Sequence, residues 1–326
     1  MTPNEHNQLL DRGENTVNKL DKDFQNRFSD NLIFDGTVMG RIDRAAKLHE
    51  ETLRNPLSSS AACLNVIGSI SCDPEELQGF FASFGLDIEE LYEFPHGVTF
   101  GGRTYHDKGY VVFEWVGPGH SPINELGGGR GHLRTSVDAL VLARVNHKTT
   151  QILIEWKFTE GLSSDLALGR FCGGEGIERL SRYSQVLADL RKHHDLPFGF
   201  EEEYQPDHLR SEVGLYDLSP DHMYQLLRMT LLAKKTLGMR LGDYALEDYR
   251  IVHLTHSQND QINILHRKYL KFSPGLMQFS GQQLHDVWRS LLSTNEKERF
   301  VCGHWDKAIT ILRDDKLRSY LIERYA

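Results

Sequence analysis

The sequence has few cysteines, no long hydrophobic run and no targeting segment. Its four cysteines are widely spaced and include no Cys-x-x-Cys pair, so neither a disulfide framework nor a cysteine zinc site is expected. No apolar run approaches the roughly 18 residues that a membrane-spanning helix needs. The polar, acidic segment Met1–Asp30 is unlike a secretory signal or an Arg-rich transit peptide. These absences predict a cytoplasmic protein with reduced thiols and no membrane partner.

Motifs for nucleophilic catalysis and for nucleotide binding are also missing. The chain contains no Gly-x-Ser-x-Gly sequence, and no cysteine has a recognisable activating context. The glycine-rich segment 127–131 lacks the Lys-Ser/Thr ending of a phosphate-binding loop and precedes a predicted strand instead of a helix. We therefore interpret that segment as a flexible loop, and serine or cysteine hydrolase chemistry is not favoured.

The charge of the chain is negative overall but unevenly distributed. The 326 residues include 37 basic and 46 acidic side chains, which gives a net charge of −9, and 39% are hydrophobic. This composition is typical of a globular protein of one large domain with extensions, or of two domains. Residues 201–221 hold seven acids and one arginine, whereas 130–150 hold four basic residues and only Asp138 as an acid. The negative total charge therefore does not exclude a basic groove on a protein whose other regions are acidic.

Hydrophobic periodicity and turn residues predict alternating helices and strands. Helices are expected at 61–70, 74–84, 176–192 and 219–237 and in the C-terminal region, and strands at 110–115, 135–145, 151–158 and 249–254. The second and third strands are joined by the short polar segment 146–149 and form a predicted hairpin. The fold class is thus α/β or α+β, with helices around a small mixed sheet.

Three chemically active residues fall on the predicted hairpin. Asp138 lies on its first strand, and Glu155 and Lys157 lie on one face of the second. The apolar neighbours predict a central hairpin, where charged side chains are costly unless they pair or have a function. If the register sets Asp138 beside Glu155, the two carboxylates suit Mg²⁺. The metal would activate a water for hydrolysis, and Lys157 would orient that water or stabilise the transition state.

At these residues the sequence resembles a known family. Ser136-Val137-Asp138, followed by Ile154-Glu155-Trp156-Lys157 with sixteen residues between Asp138 and Glu155, is similar to the motif of the PD-(D/E)XK nuclease superfamily, whose fold is restriction-endonuclease-like. The segment 53–68 also resembles bacterial proteins assigned to it. The resemblance implies a core of helix, three antiparallel strands, helix and strand. It also implies metal-ligand roles for Asp138 and Glu155 and a catalytic role for Lys157.

The chain departs from the superfamily pattern in two places. Val137 stands where a proline is common, which is a frequent variation. The first predicted core helix, 61–70, has no acid, although some members carry a further acidic ligand there. Glu51 or Glu114 is a candidate substitute.

We therefore expect an N-terminal helical extension at 1–57, a nuclease-like core at 58–256 and a helical C-terminal extension at 257–326. The expected activity is Mg²⁺-dependent hydrolysis of phosphodiester bonds, with Mn²⁺ as a substitute metal. DNA is the expected substrate because it is the usual substrate in the superfamily that the sequence resembles. A homodimer is compatible with the sequence. Candidate nucleic-acid contacts are Arg130, His132, Arg134, Arg228 and Lys235.

Two other interpretations remain open. One is a noncatalytic nucleic-acid-binding or assembly protein that keeps the nuclease fold. The other is an ordinary salt bridge on an exposed face of the hairpin.

Overall fold

The structure is a computed structural model that describes residues 57–94, 98–100, 103–105, 109–126, 134–159, 169–200 and 212–325. The helices within these ranges are α1 (Ser59–Cys63), which continues as a π-helical segment (Leu64–Gly68), α2 (Pro74–Ala82), α3 (Gly173–Lys192), α4 (Asp221–Lys235), α5 (Asp260–Asn263), α6 (Leu284–Leu291), α7 (Trp305–Ala308) and α8 (Asp315–Tyr325). The strands are β1 (Glu90–Leu91), β2 (Val98–Phe100), β3 (Arg103–Tyr105), β4 (Val111–Trp115), β5 (Val137–Val145), β6 (Lys148–Trp156), β7 (Arg240–Leu241), β8 (Tyr244–Ala245), β9 (Asp248–Thr255) and β10 (Phe300–His304).

Six of these strands form one mixed sheet. Its order is β1-β5-β6-β9-β10, and β4 also pairs with β5. Strands β1, β4 and β6 run antiparallel to β5, while β9 is parallel to both β6 and β10. The hairpin β5–β6 turns at Asn146-His147, where both residues have positive φ as a tight hairpin turn requires. As predicted, the hairpin is central in the sheet.

The sheet separates two hydrophobic cores, because alternate residues of each strand point to opposite faces. On β5, Leu140 and Leu142 pack on the face covered by α3 and α4. Ala139 and Val141 pack on the other face, against α1, α2, α7 and α8. The molecule therefore has an α/β architecture with helices on both sides of a mixed sheet, which confirms the predicted fold class.

Two helix starts follow from their first residues. Ser58 caps α1, since its hydroxyl accepts the backbone N–H of Ala61 at 3.3 Å. Asp73 caps α2 through the N–H groups of Glu75 and Glu76, and its helix begins with a proline, which needs no hydrogen bond there. Both caps lie at the starts of helices that pack on the face of the sheet with Ala139 and Val141.

The C-terminal region differs in part from its expectation. Residues 257–326 contain the helices α5 to α8, but they also supply β10, which pairs in parallel with β9 over five residues. In β10, the strand formers Phe300 and Val301 are followed by Cys302, Gly303 and His304, a pattern that does not identify a strand from sequence. The expected N-terminal extension lies almost entirely outside the described residues, and the predicted domain boundaries stay predictions. Within the described ranges, no helix is both long and apolar enough to span a membrane.

Candidate active site

Asp138 and Glu155 meet at the end of the central hairpin. The last regular pair of β5 and β6 joins Ala139 to Ile154, and one further step along this register sets Asp138 opposite Glu155. The Asp138 carboxylate is oriented by the backbone of β6, because its Oδ2 accepts the N–H of Trp156 at 2.7 Å. The register that the site requires is therefore the one that the structure has.

Glu155 and Lys157 form a buried ion pair on that same face. The Nζ of Lys157 lies 2.6 Å from Oε1 of Glu155, and the two residues are 8% and 5% exposed. The interpretation as a salt bridge on an exposed hairpin face is therefore wrong. A buried pair of this kind gains little net stability, because the desolvation of both ions offsets their attraction. Its presence here needs another explanation than stability alone.

Glu114 is brought to the same place from β4. Its neighbours Phe113 and Trp115 pair with Ala139 and Val137, so Glu114 lies opposite Asp138. It is buried, accepts a hydrogen bond from the Ser136 hydroxyl at 3.3 Å and has a positive φ of 53°. A non-glycine residue in this conformation is strained by about 1–3 kcal/mol, and such residues are often found at functional sites. The other candidate for this role, Glu51, lies outside the described residues.

Cys63 of α1 is buried, and its pKa is affected by the charges of three acids of the site. Burial raises the pKa of Cys63, and the negative charges of Asp138, Glu114 and Glu155 raise it further. The thiol of α1 is therefore within electrostatic reach of all three acids and stays protonated near neutral pH.

Several histidines lie beside the ion pair, and the sequence did not single them out as a group. His253 on β9 pairs in register with Glu155 and is buried, and its Nδ1 lies 2.9 Å from Nε2 of His285. Burial lowers the pKa of His222 to about 4 and that of His285 to about 3. The positive charge of Lys157 also lowers the pKa of His222 and of His253. These imidazoles are therefore neutral at physiological pH.

The predicted nucleic-acid contacts that can be located all have protein partners. Arg134 donates to the carbonyl oxygens of Val116 and Gly119. Arg228 pairs with Glu125 at 3.1 Å, and Lys235 pairs with Asp189 at 2.6 Å. Arg130 and His132 lie outside the described residues. The role of these five residues in binding nucleic acid stays a prediction.

The donor set of the site suits a hard cation. Among the described residues, no group of three or more His, Cys, Asp or Glu side chains is arranged to hold a metal ion. Mg²⁺ does not need such a group, since it is commonly bound by one or two carboxylates and keeps several waters. Asp138 and Glu155 supply oxygen donors from two adjacent strands. The residues present therefore fit Mg²⁺ or Mn²⁺, which prefer oxygen ligands.

Comparison with known proteins identifies the family. The model of a family described as "Restriction Endonuclease associating with ARP" matches residues 4–326. The chain belongs to this family. The match covers nearly the whole sequence, including the hairpin with Asp138, Glu155 and Lys157 and the C-terminal strand β10. No curated protein and no solved structure matches the chain.

Proposed function

We propose that this member of the restriction-endonuclease family is a Mg²⁺-dependent nuclease of the PD-(D/E)XK type that hydrolyses phosphodiester bonds in DNA. The observation that carries the proposal is that the start of β5 and the end of β6 bring together Asp138, bonded to the Trp156 N–H, and the ion pair of Glu155 with Lys157. The family match supports a nuclease-like function for the whole chain.

The chain's own residues have distinct roles in this proposal. Asp138 and Glu155 would hold the metal, and Glu114 lies opposite Asp138 on the adjacent strand β4. When bound, the metal would polarise a water and offset the charge that develops on the phosphoryl group. Lys157 would release Glu155 to the metal and place its ammonium group against the attacked phosphate. The hydrogen bond from the Trp156 N–H holds the Asp138 carboxylate in a fixed orientation throughout.

A cleavage assay tests the proposal. Plasmid, linear duplex and single-stranded DNA and single-stranded RNA are incubated with the purified chain in Mg²⁺, Mn²⁺ or EDTA. We expect metal-dependent cleavage of DNA that is abolished by Asp138→Asn and by Lys157→Ala. Asp315→Asn is the matched control, because Asp315 is exposed at the start of α8 and pairs with the neighbouring Arg318.

Three results would contradict the proposal in different ways. Cleavage in EDTA would show that the reaction needs no metal. Cleavage that survives both substitutions would show that Asp138 and Lys157 are not the catalytic residues. A wild-type chain that binds DNA without cutting it would favour the noncatalytic alternative. Preference for RNA would leave the chemistry in place and change only the substrate.

A further inference from the structure

A cluster of polar side chains, of which all but the partly exposed Arg228 are buried, lies next to the site, and we call it the Glu125 cluster. It consists of Glu125, Thr135, Tyr183, Tyr224 and Arg228. Oε2 of Glu125 accepts the backbone N–H of Thr135 at 2.7 Å, and Oε1 accepts the Thr135 hydroxyl at 2.7 Å and the Tyr183 hydroxyl at 3.0 Å. The Glu125 carboxylate is thus bound by both the backbone and the side chain of one residue at the start of β5.

Arg228 completes the cluster from α4. Its guanidinium donates to Oε1 of Glu125 and, at 2.9 Å, to the hydroxyl oxygen of Thr135, and it lies over the ring of Tyr224. The hydroxyls of Tyr183 and Tyr224 are 3.2 Å apart. Burial raises the pKa of Tyr183, so the phenol keeps its proton and donates to Glu125. Every member of the cluster therefore has a hydrogen-bond or ring partner inside it.

The cluster connects four segments of the chain. Glu125 belongs to the segment after β4, Tyr183 to α3, and Tyr224 and Arg228 to α4, while Thr135 precedes Asp138 by only three residues. We propose that Glu125, acting through Thr135, is a positioning residue that sets the Asp138 carboxylate for cation binding. This inference rests on the proposed function, in which Asp138 is a metal ligand.

Two anchors define where the Asp138 carboxylate lies. The cluster fixes the backbone at Thr135, and the N–H of Trp156 fixes Oδ2 itself. Mg²⁺ demands nearly ideal octahedral geometry at about 2.0–2.1 Å, so a displacement of Asp138 by a few tenths of an ångström weakens binding. Higher metal concentration would offset such a displacement, because the ligands themselves are all still present.

The test compares two threonine-to-valine substitutions. Thr135→Val keeps the shape of the side chain but removes its hydroxyl from Glu125 and Arg228. Thr236→Val is the matched control, because Thr236 is also buried and its hydroxyl bonds to Gln151 and to two carbonyl oxygens of α4. Gln151 lies near the start of β6, far along the strand from Glu155. Both substitutions are expected to lower thermal stability.

Two measurements separate positioning from stability. The first is the Mg²⁺ concentration for half-maximal cleavage, and the second is the rise in melting temperature that Mg²⁺ causes in the absence of DNA. We expect Thr135→Val to raise the half-maximal concentration at least fivefold, with the maximal rate restored at high Mg²⁺. Thr135→Ser should restore the wild-type value, and Thr236→Val should leave it within twofold.

The outcomes distinguish this inference from the proposed function. Equal half-maximal concentrations for Thr135→Val and wild type overturn the positioning role. If the chain cuts nothing but Mg²⁺ stabilises it, the nuclease proposal fails, and the shift in melting temperature of Thr135→Val still decides the role of the cluster. A chain with no response to Mg²⁺ or Mn²⁺ overturns both. Should Thr135→Val not fold, Tyr183→Phe removes one donor from Glu125, and an unchanged metal response in that variant also overturns the inference.

Discussion

Lys157 and a bound cation should compete for the same carboxylate. The Lys157 ammonium lies 2.6 Å from Oε1 of Glu155, which is also an expected metal ligand. Replacing the lysine by methionine keeps most of the side-chain volume and removes the positive charge. We therefore expect Lys157→Met to bind metal more tightly than wild type while it loses cleavage, because the lysine serves the reaction and not the binding of the metal.

The size of the effect follows from the geometry of the pair. A metal at about 2.1 Å from the carboxylate oxygen would lie at most about 4.7 Å from Nζ if the three atoms were collinear. The repulsion between a divalent and a single positive charge at about 4.7 Å is about 1.8 kcal/mol in bulk water and about 7 kcal/mol at an effective dielectric constant of 20. The lower figure alone corresponds to about a twentyfold change in affinity. We expect a gain of at least tenfold.

Calorimetric titration with Mn²⁺ measures this gain directly. Lys235→Met is the matched control. Lys235 lies on α4 and pairs with Asp189 of α3, so the substitution removes the same charge from a different ion pair. The control corrects for the change in net charge. Unchanged or weaker binding by Lys157→Met would refute the reasoning, since it would mean that the cation does not bind at Glu155 or that Lys157 does not oppose it.

Three further predictions concern stability. Asp73→Ala should cost about 1 kcal/mol in chemical denaturation, because it removes the N-cap of α2, whereas Asp73→Asn should cost less. Ser59→Ala leaves the Phe158 N–H without the acceptor that it has at 2.7 Å and should cost about 1–3 kcal/mol, more than Ser60→Ala. Burial lowers the pKa of His222 from 6.5 to about 4, so the unfolded chain takes up a proton first as the pH falls. The free energy of unfolding should therefore decrease by up to about 3 kcal/mol between pH 6.5 and pH 4. His222→Gln should reduce this slope and the exposed His147→Gln should not.

The central hairpin and the arrangement of its charged residues follow from local sequence. Alternating apolar residues and a short polar turn determine the pairing of β5 with β6, and the separation of Asp138 and Glu155 then sets them opposite each other. The helix caps at Ser58 and Asp73 are equally local, since each depends on a hydrogen bond within three residues. Features of this kind can be predicted from the sequence because a few neighbouring residues determine them.

The contacts around the site join residues that are far apart in the sequence, so they cannot be predicted in this way. Glu125 is the only acid between Glu114 and Asp138, but its importance depends on partners that lie 10, 58 and 103 residues away. Arg228 shares a helix face with Lys235 seven residues later, and only the packing of α4 on the sheet turns it toward Glu125. Strand β10 is recognised through its pairing with β9. No periodicity in the sequence carries this information.

The hairpin obeys the rules of strand pairing along most of its length and departs from them at one end. There, Glu114 has a strained backbone, Glu155 and Lys157 are charged but buried, and the Trp156 N–H is bonded to a side chain. The strained backbone and the buried charges cost free energy, whereas the Trp156 N–H gains a charged acceptor. The proposed active site would account for these costs, which coincide at one end of an otherwise regular hairpin. The Glu125 cluster agrees with this interpretation, because its own charges are compensated within the protein and it supports the strand that carries Asp138.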